Sequence, residues 1–304
     1  MNRRPTPGTE ETAGSPREPL PRSTERQEPP GHPGISYVYA IGRAGAALEA
    51  AVPELTGLRD GPLRTVTADR LTALVSSVPA RAFSEEGMKA QLADLSALEE
   101  LARTHHAVVE AAAAGTTVLP MRLATVYLDD ARVRSMLDGR CAEFEELLSL
   151  LEGHAEVGVK VYADARAAAG AGAGAGAESP PRDGPDPASS PVSPGRAYLQ
   201  QRRAQRRTHR EAYRAAGAVA DEVRGRAAGM ARDRVVHRPQ QGELASGAGE
   251  NIANEAYLVP TDRIREFHRA VSGPAEGVPG VRVEITGPWA PYSFATPPAE
   301  SRSG

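Results

Sequence analysis

The residues best suited to chemistry in this chain are a histidine pair, His105 and His106, and a single cysteine, Cys141. If a helix carries the pair, the two side chains point about 100° apart and cannot ligate the same ion. The sequence contains no H-x-x-x-H or C-x-x-C spacing, no G-x-S-x-G and no phosphate-binding glycine motif. We therefore predict no catalytic, metal or cofactor site, and a protein that is not an enzyme.

His105 and Cys141 each fall on the apolar face of a predicted helix. The face that includes His105 repeats at spacings of three and four within residues 85–114 and consists of Leu95, Leu98, Ala102, Val109 and Ala112. The face that includes Cys141 consists of Val133, Leu137, Phe144, Leu148 and Leu151. We interpret His105 as a hydrogen-bonded, partly buried histidine and Cys141 as a buried structural residue, because a reactive thiol needs an exposed, electropositive setting.

Arg122 lies within an apolar run, between Met121 and Leu123. An unpaired buried guanidinium is costly, so the favoured interpretation is a structural ion pair, with Glu156 on a neighbouring strand as a candidate acid. The alternative is a contact with a partner protein, since arginine is enriched at interfaces.

Four arginines recur at every fourth residue on a predicted long helix: Arg202, Arg206, Arg210 and Arg214. Like charges at this spacing repel each other on a helix, and most such runs are solvated faces. A basic stripe of this kind could also bind nucleic acid or an acidic protein surface. Nucleic acid is the weaker choice, because the aromatic residues of RNA-reading modules are absent.

Residues 287–294, here called the C-terminal aromatic segment, hold the only tryptophan in a chain that is 4% aromatic. The prolines in it exclude a helix and weaken a central strand. Trp289, Tyr292 and Phe294 therefore lie on a stiff, extended segment. It either closes a core or presents an aromatic platform to a partner, and the two roles are compatible.

Composition divides the chain into folded and unfolded stretches. Residues 1–34 and 166–194 are rich in proline, glycine, alanine and polar residues, which predicts a disordered tail and a flexible linker. Residues 296–304 form a short tail. The remaining stretches, 35–165 and 195–295, alternate strand and helix patterns, which predicts two α+β domains, each with helices on one face of a mostly antiparallel sheet. Residues 71–78 are ambiguous, and alternation favours a strand.

The net charge of −3 gives no general attraction to nucleic acid or anionic membranes, and one cysteine excludes an intrachain disulfide. No apolar run is long enough to span a bilayer and no signal peptide is visible. We therefore expect a soluble cytoplasmic protein that does not enter membranes.

Four motifs in the same order resemble the gas-vesicle protein F/L family (GvpF/GvpL). Residues 287–294, GPWAPYSF, resemble its GPWPPYSF signature, with Ala290 replacing a proline. Residues 119–127, LPMRLATVY, are similar to its PMRFGTVF segment, and residues 156–161, EVGVKV, to its EWGVKV strand. Residues 195–199, GRAYL, match the entry into its long helix.

This resemblance implies a ferredoxin-like first domain and an accessory protein of the gas vesicle. Family members are thought to associate with the small apolar shell subunit and with other accessory proteins, and to limit aggregation of that subunit during assembly. The candidate partner-binding residues are Arg122, Trp289, Tyr292, Phe294, Arg202, Arg206, Arg210 and Arg214. The alternative function is a nucleic-acid-binding regulator that uses the arginine-rich helix.

Overall fold

The computed structural model describes residues 34–51, 55–175, 194–239 and 249–295. The described residues belong to one compact unit and form two antiparallel sheets with flanking helices. The predicted mixture of helices and antiparallel strands is therefore confirmed. The predicted tails, apart from Gly34, and the linker from residue 176 to 193 lie outside the described residues.

The first sheet has the strand order β2-β3-β1-β4, and β5 also pairs with β1. Its strands are β1 (Ile35–Arg43), β2 (Leu63–Ala68), β3 (Leu71–Val78), β4 (Val118–Pro120) and β5 (Val126–Tyr127). The ambiguous residues 71–78 are the strand β3, which confirms the prediction. Strand β1 pairs antiparallel with β3 along its length, and β2 pairs antiparallel with residues 71–76. This pairing outweighs any local helix preference.

Helices cover both faces of the first sheet rather than one, so the predicted one-face arrangement is wrong here. They are α1 (Ala46–Ala51), α2 (Glu85–Ala93), α3 (Leu95–Gly115), α4 (Asp130–Gly139) and α5 (Cys141–Leu151). Residues of α3 pack with Tyr37 and Tyr39 on one face. Residues of α4 and α5 pack with Val38 and Val75 on the other.

The predicted helix over residues 85–114 is two helices, separated at Asp94. The Asp94 carboxylate accepts hydrogen bonds from the backbone N–H groups of Ser96 and Ala97 and so caps α3. The predicted apolar face also begins too early. Leu95 is 79% exposed, and burial along α3 starts at Leu101.

The second sheet has the strand order β7-β8-β6-β9. Its strands are β6 (His154–Ala163), β7 (Asp233–Val236), β8 (Glu250–Pro260) and β9 (Val281–Trp289). Three helices accompany it: α6 (Ala165–Ala175), α7 (Pro194–Ala228) and α8 (Ile264–Ser272). Val157, Val159 and Val161 are buried against α7 and α8, as their alternation in the sequence predicts.

Two elements differ from what the sequence suggests. Strand β6 lies in the middle of the second sheet, although the sequence groups it with the first domain. Residues 166–175, expected to begin the flexible linker, belong to the helix α6. The Asp164 carboxylate caps this helix by accepting the N–H groups of Arg166 and Ala167, and its alanines favour helix enough to offset its glycines.

The two sheets share apolar contacts. Ala256 and Leu258 of β8 belong to the same buried cluster as Phe144 and Leu148 of α5. A layout of two separate domains is therefore not confirmed, and the proposed domain boundaries stay a prediction. None of the described helices combines the length and the apolar character needed to cross a membrane.

Candidate functional site

The C-terminal aromatic segment leaves the edge of the second sheet at the end of β9. Its Gly287–Pro288 peptide bond is cis, and Gly287 has a φ of +100°. A Cβ at Gly287 would lie 2.7 Å from the backbone oxygen of Glu156. Both the backbone conformation and this close approach to β6 require glycine at the position.

Two carboxylates hold the backbone of the segment. Glu110 of α3 accepts the N–H of Ala290 at 2.8 Å. Glu156 of β6 accepts both the N–H and the hydroxyl of Ser293, each at 2.8 Å. Burial raises the pKa of Glu156, and the hydrogen bonds from Ser293 oppose that rise. The pair, here called the carboxylate clamp, joins the segment to one strand of the second sheet and to a helix of the first.

The side chains at the end of the segment enter the two cores of the first sheet. Phe294 is buried in the cluster that contains Phe144 and Leu148. Ala290 is buried on the opposite face, and Tyr292 packs there beside it. Phe294 and, in part, Tyr292 therefore close a core as predicted, but the sequence favoured the core of the second domain and the structure places them in the cores of the first sheet.

Trp289 is the exception, because 43% of it remains exposed. The edge of its ring meets the imidazole of His106, with ring centroids 5.3 Å apart. Trp289 also forms one wall of an open cleft of about 380 Å³. The cleft is lined by the C-terminal end of α3, the start of β6 and the segment itself, including Pro288 and Ala113. We call this surface the Trp289 cleft.

His105 lies behind the segment and is buried. Its Nδ1 is 2.9 Å from the hydroxyl of Tyr37, and its Nε2 is 3.0 Å from the backbone oxygen of Met121. Burial lowers the pKa of His105 to about 4. The prediction of a hydrogen-bonded, partly buried histidine is confirmed.

Cys141 is half-buried at the border of the core that includes Phe144. No group of three His, Cys, Asp or Glu side chains that could hold a metal occurs within the described parts of the chain.

Arg122 lies in an exposed turn between β4 and β5, where its backbone oxygen accepts the N–H and the hydroxyl of Thr125. Among the residues that the structure describes, no ion pair reaches its guanidinium, and Glu156 is occupied by Ser293. The favoured interpretation, a pair with Glu156, is therefore wrong. Strand β4 ends at Pro120, so Arg122 follows the strand. Its apolar neighbours in the sequence therefore do not place it inside the core. A partner contact stays a prediction for this residue.

The four arginines of the stripe are brought together on α7, and all four are exposed. They are far from the clamp in sequence and belong to a different element. Whether they bind a partner stays a prediction.

Sequence reasoning missed the carboxylate clamp. Glu110 and Ala290 are separated by 180 residues, and Glu156 and Ser293 by 137. No local spacing signals such pairs. Only the strand face of Glu156 could be inferred. Glu156 and Gly158 alternate with buried valines in β6, which places them on the other face of the sheet.

Comparison with known proteins gives a consistent set of matches. A family model described as "Gas vesicle synthesis protein GvpL/GvpF" matches residues 35–296. The chain is 39% identical to gas vesicle protein L of Streptomyces sp. (strain CB03234) over 86% of this chain and 92% of that protein. It is 28% identical to gas vesicle protein F of the same organism, over 85% of this chain and 98% of that protein.

Solved structures show the same fold. The crystal structure of GvpF from Anabaena sp. PCC7120 aligns with a TM-score of 0.58 at 20% identity, covering 86% of this chain and 96% of that one. GvpF from Microcystis aeruginosa aligns with a TM-score of 0.56 at 19% identity, covering 86% of this chain and 99% of that one.

Proposed function

Because the chain belongs to the GvpL/GvpF family of gas vesicle proteins, we propose that it binds the small apolar shell subunit and limits its aggregation during vesicle assembly. A subunit with a large exposed apolar surface needs a partner to cover that surface before it polymerises. Other accessory proteins of the vesicle are further candidate partners. The comparisons give no support to the alternative of a nucleic-acid-binding regulator.

The observation that carries this proposal is the exposure of Trp289 in a segment whose other side chains are mostly turned inward. Tryptophan contributes strongly to binding when it is anchored beside a pocket. The backbone next to Trp289 is held by the carboxylate clamp, because Glu110 accepts the N–H of Ala290. A fixed aromatic loses little conformational entropy on binding. We therefore assign the Trp289 cleft as the contact surface for an apolar part of the shell subunit.

The cleft also has the chemistry for an apolar segment with a polar backbone. Pro288, Trp289 and Ala113 supply apolar surface, while Thr116, Thr117 and His154 supply hydrogen-bonding groups. Ligand grooves commonly combine an apolar lining with a few polar groups of this kind.

The experiment is retention of the shell subunit by affinity-tagged protein after co-expression. Trp289→Ala removes the exposed ring, and Leu128→Ala is the matched control, because Leu128 is 70% exposed outside the cleft lining. We expect Trp289→Ala to lose most of the retained subunit and Leu128→Ala to keep it. We expect both variants to have melting temperatures close to that of wild type, because neither the Trp289 ring nor the Leu128 side chain belongs to the core.

Phe294→Ala provides the contrast within the same segment. Phe294 is 4% exposed, so its removal should cost about 3–5 kcal/mol of stability. If Trp289→Ala melts normally and retains the subunit as well as Leu128→Ala does, the cleft is not the contact surface.

A further inference from the structure

The N-terminal part of α7, residues 196–214, is here called the arm, and its described side chains are mostly exposed. The helix has 35 residues, and at about 1.5 Å per residue it is about 52 Å long. Its side chains join the core only from Ala212 onward, where Ala216, Val219 and Val223 are buried. Between residues 195 and 211 every described side chain is exposed except Thr208, which is half-buried.

Charge is concentrated on this arm. Residues 196–214 contain seven arginines and one acid, Glu211, which gives +6. The whole chain carries −3, so the rest of it carries −9. The arm is therefore a local positive region on an otherwise acidic protein.

The arginines of the arm differ from those in the packed half of the same helix. Arg224 pairs with Glu255 at 2.7 Å, and Arg226 pairs with Glu222 at 2.5 Å. On the arm, the one ion pair between described residues joins Arg207 to Glu211 at 3.0 Å. Within the described part of the chain no carboxylate pairs with any member of the stripe, Arg202, Arg206, Arg210 and Arg214. Four like charges at this spacing destabilise a helix by a few tenths of a kcal/mol per pair, and an acidic partner would remove that repulsion.

We propose that this arm is a second docking surface, separate from the Trp289 cleft, and that its occupant is an acidic helix of a partner protein. Arginines four residues apart are about 6 Å apart along the axis, which is also the spacing of carboxylates at every fourth residue of a facing helix. Tyr198 and Leu199, each 56% exposed near the start of the arm, add apolar contact. Tyrosine and arginine are the side chains that most often dominate binding energy at protein interfaces.

The distribution of charge favours a protein over nucleic acid. A duplex carries one negative charge per about 1.7 Å, so a bound duplex long enough to cover the arm would also approach the acidic remainder of the chain. A single acidic helix of similar length can cover the arm without reaching the acidic remainder of the chain. Two aromatic rings on α7 already have partners, because the Tyr198 hydroxyl accepts a hydrogen bond from Arg202 at 3.2 Å and Tyr213 stacks on His209 with centroids 4.4 Å apart.

Fluorescence anisotropy with the full-length protein tests the proposal. The probes are a labelled 21-residue helical peptide with glutamate at every fourth position, a peptide of the same composition in scrambled order, and a 20-base-pair DNA duplex. In about 150 mM salt, where surface charges more than about 8 Å apart are screened, we expect the patterned peptide to bind at least about tenfold more tightly than either other probe.

The variants separate the stripe from general charge. Arg202→Glu, Arg206→Glu and Arg210→Glu combined should weaken binding of the patterned peptide at least about tenfold. The control combines Arg103→Glu, Arg132→Glu and Arg265→Glu, which reverses three exposed arginines outside the arm and should change binding less than about threefold. Circular dichroism verifies that both variants keep their helix content. Equal effects of the two variants, equal binding of the scrambled peptide, or tighter binding of the duplex would each overturn the proposal.

Discussion

Arg122 and Arg64 show how differently two arginines in β-rich regions can be placed. Arg122 is exposed in a turn. Arg64 on β2 donates two hydrogen bonds to the Asp130 carboxylate, at 3.1 and 2.7 Å, and another to the hydroxyl of Ser77. These bonds lower the pKa of Asp130. The structure therefore assigns to Arg64 the structural role that the sequence suggested for Arg122.

We predict that Arg122→Met changes the free energy of unfolding by less than about 0.5 kcal/mol, as is usual for exposed positions. Arg64→Met should cost about 1–2 kcal/mol, because it removes both hydrogen bonds from Arg64 to Asp130 and leaves that carboxylate with the Ser36 hydroxyl as donor. Urea denaturation of both variants provides the measurement. A loss of more than about 1 kcal/mol for Arg122→Met would show that its guanidinium is engaged in the folded protein.

His105 makes stability depend on pH. Its pKa is about 4 in the folded protein and about 6.5 in an unfolded chain. Between these values the unfolded state takes up a proton and the folded state does not, so stability is full above pH 6.5 and falls as the pH drops toward 4. The loss is on the order of 3 kcal/mol.

The test compares wild type with His105→Gln by thermal melting from pH 8 to pH 4.5. The glutamine variant should start less stable, because the contacts with Tyr37 and Met121 fit an imidazole. It should then lose less stability than wild type over this range. Identical slopes for the two proteins would show that His105 does not titrate on unfolding.

Among the elements, the C-terminal aromatic segment is held by residues that lie well over a hundred positions earlier in the chain. Its Glu156 contact comes from a central strand of the second sheet, and its Glu110 contact comes from a helix on the first. Phe294 enters one core of the first sheet and Ala290 the other. The segment therefore acts as a tie between the two sheets.

We predict that Glu156→Ala loosens this tie. It removes the carboxylate that accepts two hydrogen bonds from Ser293, and bonds to charged groups contribute about 1.5–3 kcal/mol each. Hydrogen exchange at the amides of residues 290–294 should speed up, while exchange in β3 stays close to wild type. Ser293→Ala is the milder companion, because it keeps the N–H bond and loses the hydroxyl bond. Unchanged exchange in both variants would contradict the role of the clamp.

The elements differ in how far the sequence specifies them. Alternating valines predict β6, because burial of one strand face leaves a local pattern. Strand β3 is buried on both faces, which explains why residues 71–78 remain ambiguous in the sequence. The break at Asp94 and the helix α6 are decided by single capping carboxylates, which the periodicity of apolar residues does not reveal. The assignment of β6 to the second sheet depends on pairing with β8 and β9, roughly a hundred residues later, and no local pattern encodes it.

For the whole molecule, family membership and the mixed fold can be predicted from motifs and patterns spread along the chain. The Trp289 cleft and the carboxylate clamp cannot be predicted in this way. The sequence identifies Trp289, Tyr292 and Phe294 as scarce aromatics on a stiff segment. It cannot say which of them faces out, because that depends on the two sheets and on the clamp. The flexible linker predicted over residues 166–194 is helical up to residue 175. For the part of that prediction outside the described residues, limited proteolysis provides the test, with first cuts expected there.

We propose that two surfaces serve different contacts in vesicle assembly. The Trp289 cleft offers apolar contact, and the arm of α7 offers positive charge. They lie on different elements, and each has variants that leave the other unchanged. Loss of one surface can therefore be measured without loss of the other.

We propose that this chain keeps the shell subunit from aggregating through the Trp289 cleft. The most direct measurement is the soluble fraction of the shell subunit in cells that co-express it with wild type, with Trp289→Ala or with Leu128→Ala. We predict that wild type and Leu128→Ala raise the soluble fraction severalfold over the subunit alone, and that Trp289→Ala, present at the same level and equally stable, does not. A soluble fraction that wild type leaves unchanged would contradict the claim.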